Sequence, residues 1–477
     1  MTSARALIRL LMRPFMRPLT AAVLLAALIP LLPSGAAAQG RGQPCILDFE
    51  ARNPSRQPNI FIVRLPSGSR ETYAGGGVRY SCRGQGVTLE ADSTRFNEDS
   101  RILNLVGNVR YREPRATLDA DRMTYYLDEE WLIAEGRVNA GLPEGSTMAG
   151  SYVEYYRAVP GVRSESRTIA TNRPTLRLVQ RDSMGGTQPP VTVVATRIES
   201  QGETVVYAGG DVVITREDLH ATGDSAYLDQ SREFGRLMRD PTVTGSGERN
   251  YTLSGTVIDF FTREQRIERV FAMGNGDVTS DELNLKADSI DLRIVEDELD
   301  RVYAWGPSRA RAVSPQQDMI ADSIEALLPS QILREVHAVG SAYAETVPDS
   351  ARIQSEERDW VRGDTVVARF DPPAESDTTN SPVPREMVAT GNASAMYQLP
   401  PTGRCVTAPS INYVRGRTLT VRFAESDIST VTVVQADDPV SGVFLEAHAD
   451  AACLARSEEP TPPADGTGAG SGQGGAR

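Results

Sequence analysis

Apolar residues occupy alternate positions in many short stretches of this chain. In the stretch 103–109 the odd positions are apolar or glycine, and in the stretch 132–138 the even positions repeat this pattern. A period of two is typical of a β-strand with one buried face and one solvated face. We therefore predict an all-β chain.

The alternation changes phase at a recurring aspartate. Before Asp288, apolar residues occupy the odd positions from Leu283 to Ala287. After it they occupy the even positions from Ile290 to Ile294. A one-residue slip would turn every later apolar side chain towards solvent unless a bulge or a corner restores its facing. We therefore predict that the strands turn a corner at each such aspartate.

The corners recur along the chain, and each aspartate is expected to accept hydrogen bonds from nearby backbone N–H groups. The predicted corner residues are Asp92, Asp121, Asp224, Asp288, Asp322 and Asp364. When weaker copies of the motif are counted, six of the nine successive gaps span 28–34 residues, which indicates a repeat. A long sheet that folds over itself at repeated corners forms a twisted β-jelly-roll.

A second motif follows the first within each unit. It reads Ala-x-Gly, as in the segments 134–136, 338–340 and 389–391. Glycine inside a strand marks a bend or a place where another backbone comes close. Each unit is therefore predicted to consist of a strand, a turn and a second strand.

The spacing of the repeats predicts the organisation of the chain. A polar, proline-rich insertion at 371–384 interrupts the period and predicts a loop. Two stacked modules are expected, although one continuous sheet is the alternative. The predicted segments are a signal peptide at 1–38, a cysteine-containing segment at 39–85, a first module at 86–245, a second module at 246–453 and a disordered Gly/Pro-rich tail at 454–477.

The first residues have the pattern of an export signal. Four arginines between positions 5 and 17 precede an apolar run at 19–32 and three alanines at 36–38. This order is typical of a secretory signal peptide that is cleaved after Ala38. The alternative is a retained anchor, but the apolar run is about 14 residues long, whereas a spanning helix needs roughly 20. We therefore predict export.

Charge and cysteine usage narrow the partners and the compartment. The net charge of −13 argues against nucleic acid as a partner, because phosphates need a basic face. In an oxidising compartment the four cysteines are expected to form disulfides, and three connectivities are possible. The local connectivity joins Cys45 to Cys82 and Cys405 to Cys453. Each closed loop would contribute about 4 kcal/mol on the chain-entropy model.

Motifs typical of catalysis are missing from the sequence. The three histidines lie far apart, and there is no nucleophile elbow, P-loop or zinc-binding helix motif. The paired acids at 129–130 and 437–438 are predicted to lie on solvated turns. We therefore predict no catalytic residue, no metal and no cofactor. A secreted β-helix enzyme that acts on polysaccharide with two acids from different turns is an alternative.

The ordered repeats resemble a known family. The segments 89–96 and 103–109 resemble the OstA-type repeat of the lipopolysaccharide-transport proteins. The segments 363–366, 389–397 and 440–445 resemble the end of OstA-like proteins. That family includes a periplasmic bridge protein of the LptA type and the N-terminal domain of the outer-membrane translocon.

The resemblance, which spans about residues 87–446, implies a function. It implies a carrier in the periplasm, or associated with the outer membrane, that binds lipopolysaccharide or a similar lipid in an open apolar slot of the jelly roll. It also implies edge-strand pairing with other β-jelly-roll transport proteins, including an outer-membrane translocon. The candidate lipid-binding residues on the inner face are Leu89, Leu103, Leu105, Leu118, Leu132, Leu253, Leu285, Ile290 and Leu292. The main alternative is a structural scaffold of the cell envelope whose interior is filled and binds no lipid.

Overall fold

Strands and tight turns account for nearly all of the chain that the structure describes. The computed structural model describes residues 45–448 and Cys453, apart from 54–56, 182–185, 218, 246–250, 265, 281–282, 297, 316, 349–351, 354, 373–381, 403–404, 425–426 and 435–440. The predicted signal peptide at 1–38 and the predicted tail at 454–477 lie outside the described residues, as does most of the predicted loop at 371–384.

The described residues form 28 strands and three short 3-10 turns. The first fourteen strands are β1 (Leu47–Ala51), β2 (Asn59–Arg64), β3 (Arg70–Cys82), β4 (Val87–Asn97), β5 (Ile102–Arg112), β6 (Thr117–Tyr126), β7 (Trp131–Gly141), β8 (Thr147–Tyr156), β9 (Arg167–Thr171), β10 (Thr175–Arg181), β11 (Thr187–Val194), β12 (Arg197–Gln201), β13 (Val205–Arg216) and β14 (Leu219–Asp229). The other fourteen are β15 (Phe234–Met238), β16 (Thr242–Gly245), β17 (Tyr251–Ser254), β18 (Val257–Arg263), β19 (Arg266–Ser280), β20 (Asn284–Val295), β21 (Glu298–Val313), β22 (Gln317–Leu327), β23 (Glu335–Thr346), β24 (Asp359–Asp371), β25 (Val383–Leu399), β26 (Ser410–Ala424), β27 (Asp427–Val434) and β28 (Ser441–Leu445). The 3-10 turns are Pro143–Gly145, Gln230–Arg232 and Pro329–Gln331. No helix in the described part of the chain has the length and hydropathy of a membrane span.

The strands belong to one antiparallel sheet in which neighbours in sequence are neighbours in space. β3 pairs with β4, β4 with β5 and β5 with β6, and the same order continues along the chain. Some long strands are interrupted, and both parts then pair with the same neighbour. β1 and β2 pair with β3 in this way, and β27 and β28 pair with β26. The predicted all-β, repeat-built fold is confirmed.

The predicted change of phase is visible in β20. Leu285 and Ala287 are buried before Asp288, whereas Ile290 and Leu292 are buried after it. The pairing of β19 with β20 shifts register at the same place. Because an irregularity in the ladder coincides with the slip, the apolar side chains on both sides of Asp288 face the same interior.

Leu283 was predicted to lie on the apolar face, and this prediction was wrong. The Leu283 side chain is exposed. Leu283 lies in the turn before β20, where its backbone oxygen accepts a hydrogen bond from the Ser280 N–H at 2.8 Å. The alternating pattern therefore extended one step beyond the end of the strand.

A contact between two tyrosines shows how far the sheet folds over. Tyr111 pairs with Leu118 at the start of β6, and Tyr125 lies seven positions further along that strand. In a straight strand seven steps span roughly 23 Å. The Tyr111 and Tyr125 rings are nevertheless 6.3 Å apart, edge to face. The strands therefore bend sharply at the corners, so that the two parts of the sheet face each other.

We name these two parts by their position relative to the corner. The first half contains the segments 87–91, 109–112 and 117–120, and the second half contains the segments 93–97 and 102–106 together with their neighbours in the sheet. Apolar side chains of both halves form one buried cluster that runs from Cys45 to Val421.

The cysteine-containing segment at 39–85 contributes three strands to this sheet. β1 pairs with the first-half part of β3, through Leu47 and Cys82, and β2 pairs with the second-half part. The interruption between β1 and β2 lies opposite Gly76 and Gly77, whose φ angles are 93° and 97°. This segment is therefore another corner-bearing unit, which the aspartate motif did not reveal.

The predicted boundary between two modules lies near residue 245. β16 pairs with β14 and with β17, and β17 pairs with β19. Hydrogen-bonded pairing therefore runs on both sides of the segment 246–250, which is outside the described residues. The division into two modules stays a prediction.

Candidate functional site

The corners are built from an aspartate on one strand and a glycine on the next. Asp121 lies in β6 at the bend, opposite Gly136 of β7, whose φ is 93°. A Cβ atom at Gly136 would lie 2.7 Å from the Cβ of Asp121, closer than real side chains approach. Glycine is needed there for two reasons, since its backbone is left-handed and the aspartate occupies the space of a side chain.

The same arrangement recurs at the other corners. The contacts join Asp92 to Gly107, Asp288 to Gly306, Asp322 to Gly340 and Asp364 to Gly391, with threonine in place of aspartate at Thr196 with Gly210 and Thr256 with Gly274. Asp224 instead accepts a hydrogen bond from the Arg239 guanidinium at 2.8 Å. The Ala-x-Gly motif of the sequence therefore marks the partner of the preceding corner residue.

The hydrogen-bond partners of the aspartates differ from the expected local N–H groups. Asp121 Oδ2 accepts from the backbone N–H of Arg137 in the next strand at 3.0 Å. Asp92 Oδ2 accepts from the Asn108 side chain at 2.7 Å, also across the ladder. The aspartates therefore join adjacent strands at the bend. In the described part of the chain no group of three or more His, Cys, Asp or Glu side chains is placed to hold a metal ion.

The nine candidate lipid-binding residues all belong to the buried cluster between the two halves, and each is at most 4% exposed. Leu89 and Leu118 lie in the first half, opposite Leu103 and Leu132 in the second half. Their side chains therefore meet in one interior.

A buried ion-pair network closes the interior near its N-terminal end. Arg157, which follows β8, contacts Glu113 Oε2 through Nε and Glu130 Oε2 through Nη1, both at 2.8 Å. Glu113 lies in the turn after β5 and Glu130 in the turn before β7. These turns are the free ends of the first and second halves, so a single guanidinium joins the two ends. We call these three residues the Arg157 clasp.

Three tyrosine hydroxyls complete the clasp from inside. Tyr111 and Tyr155 donate to Glu113, and Tyr125 donates to Glu130. Burial raises the pKa of each of these phenols above its usual value, and the nearby carboxylates raise it further. The tyrosines therefore stay neutral donors over a wide range of pH.

The prediction that Glu130 lies on a solvated turn was wrong, because its side chain is only 4% exposed. Its carboxylate accepts hydrogen bonds from Tyr125, from Arg157 and from the backbone N–H of Cys45. Neighbouring Glu129 is exposed, as predicted for a turn. Sequence reasoning missed Glu130 because Arg157 and Cys45 are distant in sequence. Asp437 and Asp438 lie outside the described residues.

A second connection crosses the same opening. Cys45 is joined by a disulfide to Cys82 at the end of the first half. Its carbonyl oxygen accepts a hydrogen bond from Arg101 at 2.7 Å, and its N–H donates to Glu130 at 3.0 Å, both at the end of the second half. We call the segment 45–46 the Cys45 strap. Near the other end of the described chain, Cys405 is joined by a disulfide to Cys453.

Both ends of the sheet present apolar strands to solvent. The side chains of Ile60, Phe61, Ile62 and Val63 in β2 are 44–66% exposed, and those of Val443, Phe444 and Leu445 in β28 are 55–58% exposed. Among the described strands β2 pairs with β3 alone, and β28 pairs with β26 alone. Each strand therefore has one edge that is free to pair.

Comparison with known proteins adds the following. The model of the family described as LptA/(LptD N-terminal domain) LPS transport protein matches residues 88–266. A solved structure of LptH, the LptA homologous periplasmic component of the conserved lipopolysaccharide transport device from Pseudomonas aeruginosa, is 18% identical, with 26% of this chain and 94% of that chain covered. The TM-score of this match is 0.24. No curated protein matches the chain.

The family match begins within β4 and ends at the start of β19, so it covers the Arg157 clasp and the corners at Asp92, Asp121 and Asp224. The corners at Asp288, Asp322 and Asp364 lie beyond it. The predicted resemblance to the lipopolysaccharide-transport proteins is thereby confirmed. Over residues 88–266 the chain therefore resembles the LptA/(LptD N-terminal domain) family of LPS transport proteins.

Proposed function

We propose that this protein is a periplasmic carrier or bridge that binds the acyl chains of lipopolysaccharide against the inner face of its folded sheet. The observation that supports this function best is the apolar inner face itself, which continues from unit to unit through β3–β26. Each methylene moved from water to such a surface contributes about 0.8 kcal/mol. Binding of this kind needs aligned apolar strands and no covalent chemistry.

The two exposed edge strands support a role within a larger assembly. Unpaired edges with apolar side chains extend another sheet by β-augmentation. β2 and β28 therefore suit pairing with other β-jelly-roll transport proteins, including an outer-membrane translocon. Pairing at β28 would align its inner face with that of a neighbouring protein and lengthen the path open to an acyl chain.

A second candidate function is a structural scaffold of the cell envelope, and the burial of the inner face favours it. All nine candidate lipid-binding residues are almost fully buried. An interior that is filled in this way everywhere would bind no lipid. The carrier and the scaffold differ in whether lipopolysaccharide reaches the inner face.

A pair of adjacent substitutions tests the carrier. Leu285 faces the interior, whereas the neighbouring Lys286 is exposed on the outer face. Titration of purified protein with lipopolysaccharide should show that Leu285→Asp loses most of the binding and that Lys286→Asp keeps it. Leu285→Ser is the milder companion, and circular dichroism shows whether each variant keeps its sheet. Equal binding by well-folded Leu285 and Lys286 variants would count against an inner-face site.

A further inference from the structure

The Arg157 clasp and the Cys45 strap both close the N-terminal part of the interior, and they share the carboxylate of Glu130. Arg157 is 13% exposed and its carboxylate partners are 9% and 5% exposed, so the ion pairs are shielded from water. The strap adds a covalent bond through the Cys45–Cys82 disulfide. Both connections join the free end of one half to the free end of the other, across the side on which a folded sheet would otherwise be open.

Large side chains fill the space behind this closure. The two largest fully buried side chains of the described chain, Tyr111 and Tyr125, both lie here. Tyr111, at the centre of this region, contacts Tyr125 and Tyr155 with ring centroids 6.3 and 6.0 Å apart. An acyl chain in this part of the interior would have to displace these rings.

The repeat allows a direct comparison with a unit nearer the C-terminus. When the corner motif of β6 is aligned with that of β22, Tyr125 corresponds to Ala326. Tyr111 likewise corresponds to Ala312. Each pairs with a residue of the next strand, Leu118 or Met319, that lies two positions before the start of the corner motif. Ala312 and Ala326 are half-buried, whereas both tyrosines are fully buried.

The neighbouring positions follow the same trend. Leu132 of β7 corresponds to Val336 of β23. Leu132 pairs with Tyr125, and Val336 pairs with Ala326. Leu132 is fully buried and Val336 is half-buried. Near the corner, Ala338 remains fully buried like its counterpart Ala134. The β22 unit is therefore closed at the corner, but smaller and more accessible side chains line its inner face away from the corner.

We propose that β3–β8 form a sealed end of the jelly roll and that the acyl chains of lipopolysaccharide lie along the inner face of β20–β25. This inference rests on the proposed carrier function and assigns its cargo site to one part of the sheet. Two alanines stand where the N-terminal unit has two tyrosine rings, so an acyl chain would pack there against smaller apolar side chains. The clasp and the strap keep water and lipid out of the other end.

The test places a photo-crosslinking leucine analogue, which is smaller than an aromatic ring, at two equivalent positions, 132 and 336, in separate samples of the full chain. Each sample is incubated with lipopolysaccharide and irradiated, and the adduct is measured by mass spectrometry. The inference predicts at least about tenfold more adduct at position 336 than at position 132, as for a tenfold difference in local affinity. Equal or greater adduct at position 132 overturns the sealed end. Adduct at neither position overturns the carrier function, and the inference with it.

Hydrogen exchange of the unmodified chain provides a second measurement, because an analogue at the buried position 132 can disturb folding. Lipopolysaccharide should slow exchange in β21 and β22 and leave β5 and β6 unchanged. Slower exchange in β5 and β6 alone would overturn the assignment. A filling variant, Ala326→Tyr, should reduce binding of lipopolysaccharide, whereas Lys286→Tyr on the outer face should not.

Discussion

The carboxylate of Asp121 occupies the place in which a side chain at residue 136 would begin, and Gly136 leaves that place empty. This contact joins β6 to β7 at the bend, where the aspartate also accepts the N–H of Arg137. The same contact between an aspartate and a glycine recurs at four other corners of the fold. The bend is what brings the two halves of the sheet face to face.

A glycine substitution tests this corner. Gly136→Ala should destabilise the fold by more than Gly145→Ala, although the two glycines have similar φ angles of 93° and 87°. Alanine in left-handed backbone costs roughly 1–3 kcal/mol at either position. A Cβ at Gly145 meets nothing within 4 Å, whereas at Gly136 it collides with Asp121. Overpacking should add about 1–3 kcal/mol there, as measured by urea unfolding.

The double variant is the control for that prediction. Combining Gly136→Ala with Asp121→Gly should cost less than the sum of the two single changes, because both the carboxylate and the Cβ atom that the new alanine would meet are gone. Additive costs would show that the aspartate and the glycine do not interact as described.

The Arg157 clasp predicts an unusually large effect from one arginine. Removing one partner of a buried ion pair costs about 3–5 kcal/mol, because the carboxylates are left without a counter-charge. Arg157→Met should therefore lower the free energy of unfolding by that amount. Arg137→Met is the matched control, since the Arg137 side chain is 90% exposed and pairs with Asp121 at the surface. Exposed pairs contribute about 0–1 kcal/mol, and similar losses for both variants would contradict a buried clasp.

The two disulfides should differ in their contribution to stability, although their loops are similar in length. The sequence separations are 37 and 48 residues, and the chain-entropy model gives about 4 kcal/mol for each. Replacing Cys45 and Cys82 with serine should cost more than replacing Cys405 and Cys453, because Cys45 and Cys82 are fully buried in the core. Thermal unfolding of the two double variants measures the difference. A larger loss from the Cys405 pair would contradict the structural role of the strap.

Glu71 predicts a dependence of stability on acid. Hydrogen bonds from Arg95, and also from Tyr73, lower the pKa of Glu71 from its usual 4.5 to about 2. A lowered pKa means that the ionised form stabilises the folded state. This contribution is present above pH 4.5 and is lost as the pH falls towards about 2.

Unfolding of a glutamine variant measures that contribution. Glu71→Gln should be less stable than the natural chain near neutral pH, and the difference should shrink as the pH falls towards about 2. Glu50→Gln, at an exposed position of β1, is the control. A difference that stays constant over the whole acid range would rule out the proposed role of the Glu71 carboxylate.

Local patterns in the sequence predicted the strands and the corners. The two-residue period identified the inner face, and the slip at Asp288 identified the bend, because both signals depend on residues that are close in sequence. The partner of each corner aspartate was less visible. Gly136 stood out as a recurring glycine, but its contact with Asp121 joins separate strands, and only the fold brings them together.

The closure of the N-terminal end could not be predicted from local patterns. Arg157 lies just after β8, and Glu130 lies in a polar turn. Arg157 and Glu130 can pair only when the free ends of the first and second halves meet. That meeting depends on how far each strand bends at its corner. The burial of Glu130 would have indicated the pairing, but it is visible only in the folded structure.

The carrier function is tested most directly by native mass spectrometry of the exported chain, purified from its own envelope and gently freed of detergent. The account predicts a population whose mass is increased by one or more lipopolysaccharide molecules. Protein without adducts that also fails to bind added lipopolysaccharide would contradict the account and favour a filled scaffold.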